Sequence, residues 1–335
     1  MIVDARAPTR IDLAGGTLDI HPLALMEDDA WTINVAVDIT VQVRLTRARR
    51  GFAIVSQDLG QKVQVETLDD LPTGGPLDLA TRALRFSQPK PGLTVTLTSS
   101  APPGSGLGAS SALLVTLLAS LDRWTHRSRS QEDLVATAWR MEAQSLRTLT
   151  GRQDYHAAVA GGVNAIHFGL GGDRLEPLLQ TPKMRQALED RLVLAYTGQP
   201  HSSGVTNWGV VRSYLDGVPA TVNRLRSIAE VARRMRDALR VQDLNAIGEL
   251  LAEEWTNRRE LANGVSTQAI EKVLLVARRH GGVSGKACGA GGGGCVVVFT
   301  RAGAKKGLEG ALRTAGFAVL ETAIAAKGLQ VRVSR

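Results

Sequence analysis

The sequence predicts an α+β protein of two domains, and three observations support this prediction. A chain of 335 residues exceeds the usual size of one domain. Segments that alternate apolar and polar residues, which is typical of half-buried strands, occur in both halves of the chain. Longer segments of helical periodicity accompany them in both halves. A helix at 182–190 is predicted to link the halves, which gives domains 1–185 and 186–335.

The first half is predicted to combine strands with helices. Residues 31–46 alternate most regularly, with isoleucine, valine or leucine at every second position from Ile33 to Leu45. Ser130 followed by acidic residues indicates a helix start, and Gly151 is expected to stop that helix. The predicted strands are 2–14, 31–46, 52–57, 63–66, 93–98 and 163–168, and the predicted helices are 77–86, 112–121, 131–149, 154–160 and 182–190.

The second half is predicted to be richer in long amphipathic helices. A polar loop, 197–204, follows its first strand. The glycine tract 289–294 is too short and too closely bracketed to be a flexible linker. The predicted helices are 219–241, 243–262, 266–280 and 303–315, and the predicted strands are 191–196, 296–300, 317–322 and 331–333.

Residues 93–121 indicate a strand, a glycine loop and a helix in succession. Two prolines end the strand, glycines follow at alternate positions from Gly104 to Gly108, and an apolar helix follows Ser110 and Ser111. Glycine permits positive φ and close approach of a ligand, and the free N–H groups of a helix start carry partial positive charge. The combination predicts an anion site suited to phosphate, where the serine hydroxyls cap the helix or hold a metal ion.

Several kinds of loop compete at this position. A Walker loop requires a lysine after its last glycine, and no lysine follows Gly108. Residues 104–109 fit the dinucleotide-binding pattern Gly-x-Gly-x-x-Ala, but the sequence stays helical through Trp124 where a second strand with an acidic end is required. A glycine turn without a ligand is disfavoured because so many special residues coincide.

The sequence resembles the GHMP kinases (galactokinase, homoserine kinase, mevalonate kinase and relatives) over nearly its whole length, because three motifs occur in that family's order. They are 7–19 (Ala-Pro-Thr-Arg-Ile-Asp-Leu-Ala-Gly-Gly-Thr-Leu-Asp), 103–112 (Pro-Gly-Ser-Gly-Leu-Gly-Ala-Ser-Ser-Ala) and 289–294 (Gly-Ala-Gly-Gly-Gly-Gly). Ala109 departs from the family's first serine. The resemblance implies an N-terminal domain like ribosomal protein S5 domain 2 and a ferredoxin-like C-terminal domain. It also implies transfer of the γ-phosphoryl group of ATP, with Mg²⁺, to a small-molecule hydroxyl.

The resemblance implies a donor half of the site that holds ATP and Mg²⁺. Because Mg²⁺ prefers oxygen ligands and keeps several waters, Ser110 and Glu142 suffice as its protein ligands. The alternative for Glu142 is an ordinary exposed helical acid. The residues expected around the ATP phosphates are Pro103, Gly104, Ser105, Gly106, Leu107, Gly108, Ala109, Ser110 and Ser111.

The acceptor half depends on Asp154 and Arg10. Asp154 lies in a Gly-Arg-Gln-Asp segment similar to that of heptose kinases, and it is expected to accept or orient the acceptor hydroxyl, or else to cap a helix. Arg10 would neutralise charge on the transferring phosphoryl group, with a surface arginine as the alternative. The residues expected to contact the substrate are Gly15, Gly16, Thr17, Asp19, His21, Gln153, Gly291 and Gly292. Thr197, Gly198, Ser202 and Ser203 are expected to face the cleft. Lys286 is expected on the surface, with contact to an anion as the alternative.

The motifs favour a sugar or sugar phosphate as acceptor. They look most like those of heptose 7-phosphate kinases and fucokinases, since galactokinases and mevalonate kinases carry Gly-Glu-His in the first motif. Leu18 departs from the heptose-kinase pattern Gly-Gly-Gly-Thr-Asp and leaves the sugar open. A catalytically silent sugar sensor is the alternative, and the presence of Ser110, Glu142 and Asp154 disfavours it.

Net charge and composition restrict the classes of molecule that the protein is expected to bind. The net charge of +8 suits an anionic substrate, whereas the scattered basic residues and the 4% aromatic content disfavour nucleic acid. Cys288 and Cys295 lack a metal-type spacing. The sequence shows no signal peptide and no apolar run of the ~18 residues that span a membrane. A cytoplasmic protein without a membrane or nucleic-acid partner is expected, and a homodimer is left open.

Overall fold

The structure, a computed structural model, describes residues 1–200 and 203–334, without the side chains of 203–206. Its strands are β1 (Ile2–Ala14), β2 (Ala30–Arg47), β3 (Phe52–Ser56), β4 (Gln61–Val65), β5 (Leu93–Ser99), β6 (Val163–Gly169), β7 (Gly172–Leu178), β8 (Leu192–Tyr196), β9 (Gly282–Ala287), β10 (Cys295–Thr300), β11 (Ala318–Leu320) and β12 (Gln330–Ser334). Its helices are α1 (Leu23–Met26), α2 (Asp78–Ser87), α3 (Ala109–Trp124), α4 (Gln131–Leu146), α5 (Gln153–Ala160), α6 (Pro182–Glu189), α7 (Ser203–Leu215), α8 (Pro219–Val241), α9 (Leu244–Arg258), α10 (Gln268–Arg279) and α11 (Lys305–Thr314).

The first sheet has eight strands within the described residues. They run in the order β12-β1-β2-β5-β3-β4, with β6 paired to β2 and β7 paired to β6. The length of β2 allows residues 41–47 to pair with β5 and residues 30–35 to pair with β6. Helices α2, α3 and α4 pack against this sheet over an apolar core that includes Leu45, Val95 and Leu117. This packing fixes the start of α3, and with it the glycine loop, at the end of β5.

The second sheet has four antiparallel strands in the described part of the chain, in the order β11-β8-β10-β9. Numbered along the chain, that order is fourth, first, third, second, and helices separate the first strand from the second and the third from the fourth. This is the β-α-β-β-α-β arrangement of a ferredoxin-like domain. The predicted α+β class with two units is confirmed.

One apolar core joins the two units. It contains Ile11 and Val35 from the first sheet and Leu194 and Phe299 from the second, with Met235 of α8 between them. The units therefore pack as one body, and the loops that leave their facing edges meet at a common cleft. No helix among the described residues is both long enough and apolar enough to cross a membrane.

The element predictions need several corrections, among them a missed α1 and an α9 that ends at Arg258 instead of residue 262. β12 pairs with β1, so the chain returns to the first sheet and the predicted unit 186–335 does not account for its last strand. α4 ends at Leu146, because Arg147 adopts a left-handed backbone. β9 was missed because Gly282–Ala287 consists of small residues, a valine and a lysine without clear alternation. α7 was also missed; its Gly204, Gly209 and valines have low helix propensity, and packing of Val210 and Val211 into a buried cluster overrides this.

Candidate active site

A cleft of about 380 Å³ is lined by segments of both domains. Residues from 16–20, 101–111 and 149–154 form most of its wall, and the second domain adds Asn207, Arg258, Gly289 and Ala290. The lining from α2, β5 and α3 is mostly apolar and includes Leu79, Leu97 and Leu117, whereas the lining from β1, α5 and α9 carries charged groups. One part of the cleft thus suits a flat ring system and another suits anions and hydroxyls.

The glycine loop has the backbone geometry that phosphate binding requires. Gly104, Gly106 and Gly108 have φ of 63°, 72° and 72°, in the left-handed region. Gly108 is the N-cap of α3 and provides no side-chain hydrogen bond, so N–H groups of the first turn remain available to an anion. A Cβ at Gly108 would lie 2.8 Å from Asp154 Oδ2, so glycine also permits contact with α5.

Arg10 joins the glycine loop to α5. Its Nε and Nη2 each lie 2.7 Å from Asp154 Oδ1, its Nη1 donates to the Gly106 carbonyl at 2.6 Å, and its backbone N–H donates to Leu107 O at 2.9 Å. Arg10 is only 5% exposed, so the surface-arginine alternative is wrong. The N-cap of α5 is Arg152 rather than Asp154, so the capping alternative for Asp154 is wrong as well.

The surroundings shift the acid–base behaviour of this pair. Burial raises the pKa of the Asp154 carboxyl, Arg10 opposes that effect, and the Glu142 carboxylate reinforces it. Burial acts to lower the pKa of Arg10, but the charges of Asp154 and Asp12 outweigh it, and the pKa is raised. Asp154 is thus a stronger proton acceptor than an exposed aspartate, while Arg10 stays charged.

Glu142 lies beneath the loop and is held by three hydroxyl groups. Its Oε1 accepts from Ser110, and its Oε2 accepts from Ser111 at 2.7 Å and from Tyr155 at 2.6 Å. Glu142 is 3% exposed, so the exposed-acid alternative is wrong. Burial, followed by the Glu142 charge, raises the pKa of the Tyr155 hydroxyl well above its usual value, so it remains a donor. Sequence reasoning missed Tyr155, although it directly follows Asp154.

No ion pair involves Glu142 within the described residues. A buried carboxylate normally has a cationic partner or binds a metal ion. The donor set of Ser110 and Glu142, one hydroxyl and one carboxylate beside a phosphate-type loop, fits Mg²⁺.

Four predicted substrate residues lie at the cleft: Gly16, Thr17, Asp19 and Gln153. Asp19 is 2% exposed and its Oδ2 accepts from the backbone N–H groups of Arg152 and Gln153 at 2.7 and 3.0 Å. Burial raises the pKa of Asp19, and the hydrogen bond from Gln153 opposes this. Asp19 therefore anchors the start of α5, and its predicted hydrogen bonds to substrate hydroxyls stay a prediction.

The other four predicted substrate residues are not brought to the cleft wall. Gly15 packs against β2, since a Cβ there would lie 2.0 Å from Trp31 O. His21 packs edge-on against Trp139, with ring centroids 5.1 Å apart. A Cβ at Gly291 would lie 2.3 Å from Val265 O, and the Gly292 N–H donates to the same carbonyl at 2.9 Å. These residues shape neighbouring turns instead.

The glycine tract 289–294 packs beside the phosphate-type loop, as expected from the sequence. A Cβ at Gly289 would lie 3.1 Å from Gly106 O, and one at Gly294 would lie 2.6 Å from Ser105 O. The Cys295 N–H donates to that Ser105 carbonyl at 2.7 Å.

The 197–204 segment lies beyond the tract. Thr197 Oγ1 donates to Gly294 O at 2.8 Å, so Thr197 braces the tract. Neither Thr197 nor Gly198 lines the cleft. Ser202 and the side chain of Ser203 lie outside the described residues.

Lys286 is buried, which corrects its predicted surface position. It is 0% exposed, and its Nζ donates to Asp12 Oδ2 at 2.9 Å and to Glu254 Oε1 at 3.3 Å. Burial acts to raise the pKa of Asp12, but Lys286 and Arg258 outweigh it and hold that pKa below its usual value. Sequence reasoning missed this cluster; its one visible signal is the i,i+4 spacing of Glu254 and Arg258 on α9.

Comparison with known proteins fits this geometry. Residues 78–162 match the family described as GHMP kinases N terminal domain, and residues 235–316 match GHMP kinases C terminal. The chain belongs to the GHMP kinase family. Both halves of this GHMP kinase family member are matched, and the first matched segment contains the glycine loop, Glu142 and Asp154.

Relatives of this GHMP kinase family member cover nearly its whole length. D-glycero-alpha-D-manno-heptose 7-phosphate kinase of Campylobacter jejuni is 26% identical, with 93% of each chain covered. Bifunctional fucokinase/GDP-fucose pyrophosphorylase of Arabidopsis thaliana is 26% identical over 88% of this chain and 29% of that longer protein. The solved structure of a D-glycero-D-manno-heptose 1-phosphate kinase from Bacteroides thetaiotaomicron superposes with a TM-score of 0.81 over 99% of both chains at 21% identity, which supports the two-domain fold.

Proposed function

We propose that this protein transfers the γ-phosphoryl group of ATP, with Mg²⁺, to a hydroxyl group of a sugar or sugar phosphate. One observation carries the proposal: at a single cleft, the glycine loop meets the Arg10–Asp154 pair and a buried Glu142 that has no cationic partner among the described residues. Phosphoryl transfer needs groups that position phosphates, neutralise charge and orient an attacking hydroxyl, and this set supplies all three.

The donor half of the reaction uses the loop and the apolar lining. N–H groups at the start of α3 hold phosphate oxygens, and Leu79, Leu97 and Leu117 offer an apolar surface for the adenine ring. Ser110 and Glu142 hold Mg²⁺, which neutralises charge on the phosphates when bound. Tyr155 and Ser111 keep Glu142 oriented by their hydrogen bonds to Oε2.

The acceptor half uses the two oxygens of Asp154 differently. Oδ1 takes both contacts from Arg10, which leaves Oδ2, on the side of Gly108, to accept the proton of the attacking hydroxyl or to orient it. Arg10 carries a positive charge beside the loop carbonyl Gly106 O, where it can stabilise the charge that develops on the transferring group. Gln153 Oε1 is buried without a partner among the described residues and can accept from a substrate hydroxyl.

The acceptor class follows from the relatives and from charge. The heptose 7-phosphate kinase of Campylobacter jejuni and the Arabidopsis fucokinase act, by their names, on sugars or sugar phosphates. The net charge of +8 favours an anionic acceptor over a neutral one. We therefore rank a phosphorylated heptose first and a neutral deoxyhexose second.

The decisive experiment measures ADP release over a panel of sugars that includes heptose 7-phosphate, heptose 1-phosphate, fucose and galactose. The proposal expects turnover on at least one sugar, loss of turnover with EDTA, and recovery when Mg²⁺ is restored. A reaction without sugar gives the ATPase background. The sensor alternative expects the opposite pattern: calorimetry would detect sugar binding while no sugar is phosphorylated. Nothing in the comparisons favours that alternative.

A further inference from the structure

The second domain contacts the acceptor side of the cleft through one buried arginine. Arg258, at the end of α9, is 2% exposed. Its Nη2 donates to the Gly16 carbonyl at 2.6 Å, and its Nη1 donates to Thr17 Oγ1 at 3.1 Å. Its Nε donates to Glu254 Oε1 at 2.7 Å, on its own helix. The guanidinium fork therefore spans from α9 to the turn that follows β1.

The turn that Arg258 holds has a strained backbone. Thr17 has a φ of 78°, which a β-branched residue rarely adopts. Such a conformation costs about 1–3 kcal/mol and persists only where surrounding contacts enforce it. Gly16, the residue before Thr17, has no room for a side chain, since a Cβ there would lie 2.4 Å from Asp12 Oδ2 and 3.2 Å from Arg258 Nη2. Arg258 supplies enforcing contacts to both residues of the turn.

The same turn is connected to the helix that carries Asp154. Asp19, two residues after Thr17, accepts from the backbone N–H groups of Arg152 and Gln153 at the start of α5. A Cβ at Gly151 would lie 2.1 Å from Asp19 Oδ2, so glycine permits this contact. A displacement of the turn would therefore move the start of α5 through these two hydrogen bonds. Gln153, which makes one of them, directly precedes Asp154.

The ionic cluster around Arg258 is better suited to fixing the positions of its side chains than to stabilising the fold. It balances two carboxylates, Asp12 and Glu254, with two cations, Lys286 and Arg258, all buried. Asp12 Oδ1 and Glu254 Oε2 nevertheless lack partners among the described residues. Because a buried ionic cluster with unpaired oxygens gains little net stability over apolar residues of similar size, its fixed geometry is the more important property.

We propose that Arg258 is a positioning residue through which the second domain fixes the turn 16–19 and, by way of Asp19, the orientation of Asp154. The kinetic consequence rests on the proposed function, whereas the structural consequence does not. Arg258→Lys keeps the positive charge of the cluster. It tests the proposal because a lysine cannot donate to Gly16, Thr17 and Glu254 in the geometry of the guanidinium fork. Thr17→Ala tests it a second time by removing the hydroxyl that accepts from Nη1, together with the γ-methyl group.

The structural test is hydrogen exchange in the resting protein, without any substrate. We expect amide exchange in segments 14–20 and 150–156 to become about tenfold faster in both variants, because opening of local contacts governs it. Arg234→Lys is the matched control: Arg234 of α8 pairs with Glu253 of α9, the helix that carries Arg258, at 2.9 Å, but its side chain is 51% exposed. Unchanged exchange in 150–156 in both variants would overturn the proposal, and so would loosening of 14–20 alone. If Arg258→Lys does not fold, Thr17→Ala decides.

The kinetic test separates positioning from a general loss of structure. With an acceptor that the wild type phosphorylates, we expect kcat/KM for the acceptor to fall about 10- to 100-fold, because small misplacements near the reacting groups are costly. The KM for ATP should stay within about twofold, since the hydrogen bonds and the ion pair of Arg258 among the described residues go to Gly16, Thr17 and Glu254 and not to the glycine loop. Equal losses for both substrates would contradict the proposal. If the wild type phosphorylates no acceptor, the proposed function fails, and the exchange measurement still decides the role of Arg258.

Discussion

Replacing Asp154 by Asn is the sharpest test of the acceptor half of the site. The change removes one negative charge but keeps the size of the side chain and an oxygen that accepts from Arg10. A general base contributes about 10²–10⁴-fold to the rate, so we expect kcat to fall about 10³-fold. The loop amides and the apolar lining are unchanged, so the KM for ATP should stay within about threefold.

The same substitution should cost a moderate amount of stability. Arg10 is 5% exposed and keeps its hydrogen bond to Gly106 O, but it loses its nearest anion. Removing one partner of a buried ion pair costs about 3–5 kcal/mol. The remaining amide oxygen, together with relief of the burial penalty that raises the pKa of Asp154, should reduce this to about 2 kcal/mol. At a chain length of 335 residues such a loss lowers Tm by about 3 °C, measurable by differential scanning calorimetry.

The pH dependence adds an independent check. Burial raises the pKa of Asp154, so the wild-type kcat/KM should fall on the acid side at a pH above the ordinary aspartate value of about 3.9. A raised pKa also means that the carboxyl stabilises the fold below its unfolded pKa and that this contribution is lost as pH rises through the folded pKa. Asp154→Asn should remove both the acid-side fall of kcat/KM and the contribution of this carboxyl to the pH dependence of stability.

The control for these measurements is Asp4→Asn, which neutralises an exposed aspartate paired with Arg44 at 2.6 Å and should leave the rate unchanged. If Asp154→Asn reduced ATP binding and turnover to the same degree, or left kcat within tenfold of wild type, the assignment of Asp154 to the attacking hydroxyl would be refuted.

Three further changes test the donor half and the buried cluster. Glu142→Gln should raise the Mg²⁺ concentration for half-maximal rate at least about tenfold, measured by titration with Mg²⁺ at saturating ATP. Gly108→Ala should destabilise the protein by about 1–2 kcal/mol in urea unfolding and weaken ATP binding, because it forces a side chain into the left-handed region and toward Asp154. Lys286→Met leaves two buried carboxylates without that cation and should cost about 3–5 kcal/mol in thermal unfolding, whereas Lys90→Met, at an exposed position, should cost little.

The sequence predicted the elements that carry strong local signals. Alternation in 31–46 marked β2, and the proline–glycine–serine succession marked the end of β5, the loop and α3. It failed where tertiary packing decides, as in α7, which is helical despite two glycines and several β-branched residues. The return of β12 to β1 joins residues more than 300 positions apart, and a single sequence carries no local signal for such a pairing.

The same contrast between local sequence signals and tertiary packing applies to the predicted site residues. The loop, Arg10, Glu142 and Asp154 meet as expected, because motif residues lie at fixed positions relative to strand and helix ends. Gly291 and Gly292 do not line the cleft. Their predicted contact with substrate was wrong because a glycine tract predicts turns but does not indicate which backbone carbonyl each glycine approaches. Lys286 was misjudged because burial of a lysine depends on carboxylates contributed by β1 and α9, distant in sequence.

The pairing of β12 with β1 also has a consequence for the order in which the protein is made. β1 is synthesised before β12, so residues 2–6 of β1 lack their partner strand on one side until the second domain has been synthesised. An open edge of a long strand is a template for association with other chains. Completion of this sheet therefore follows synthesis of the second domain, and chains that stop before residue 330 leave that part of β1 exposed.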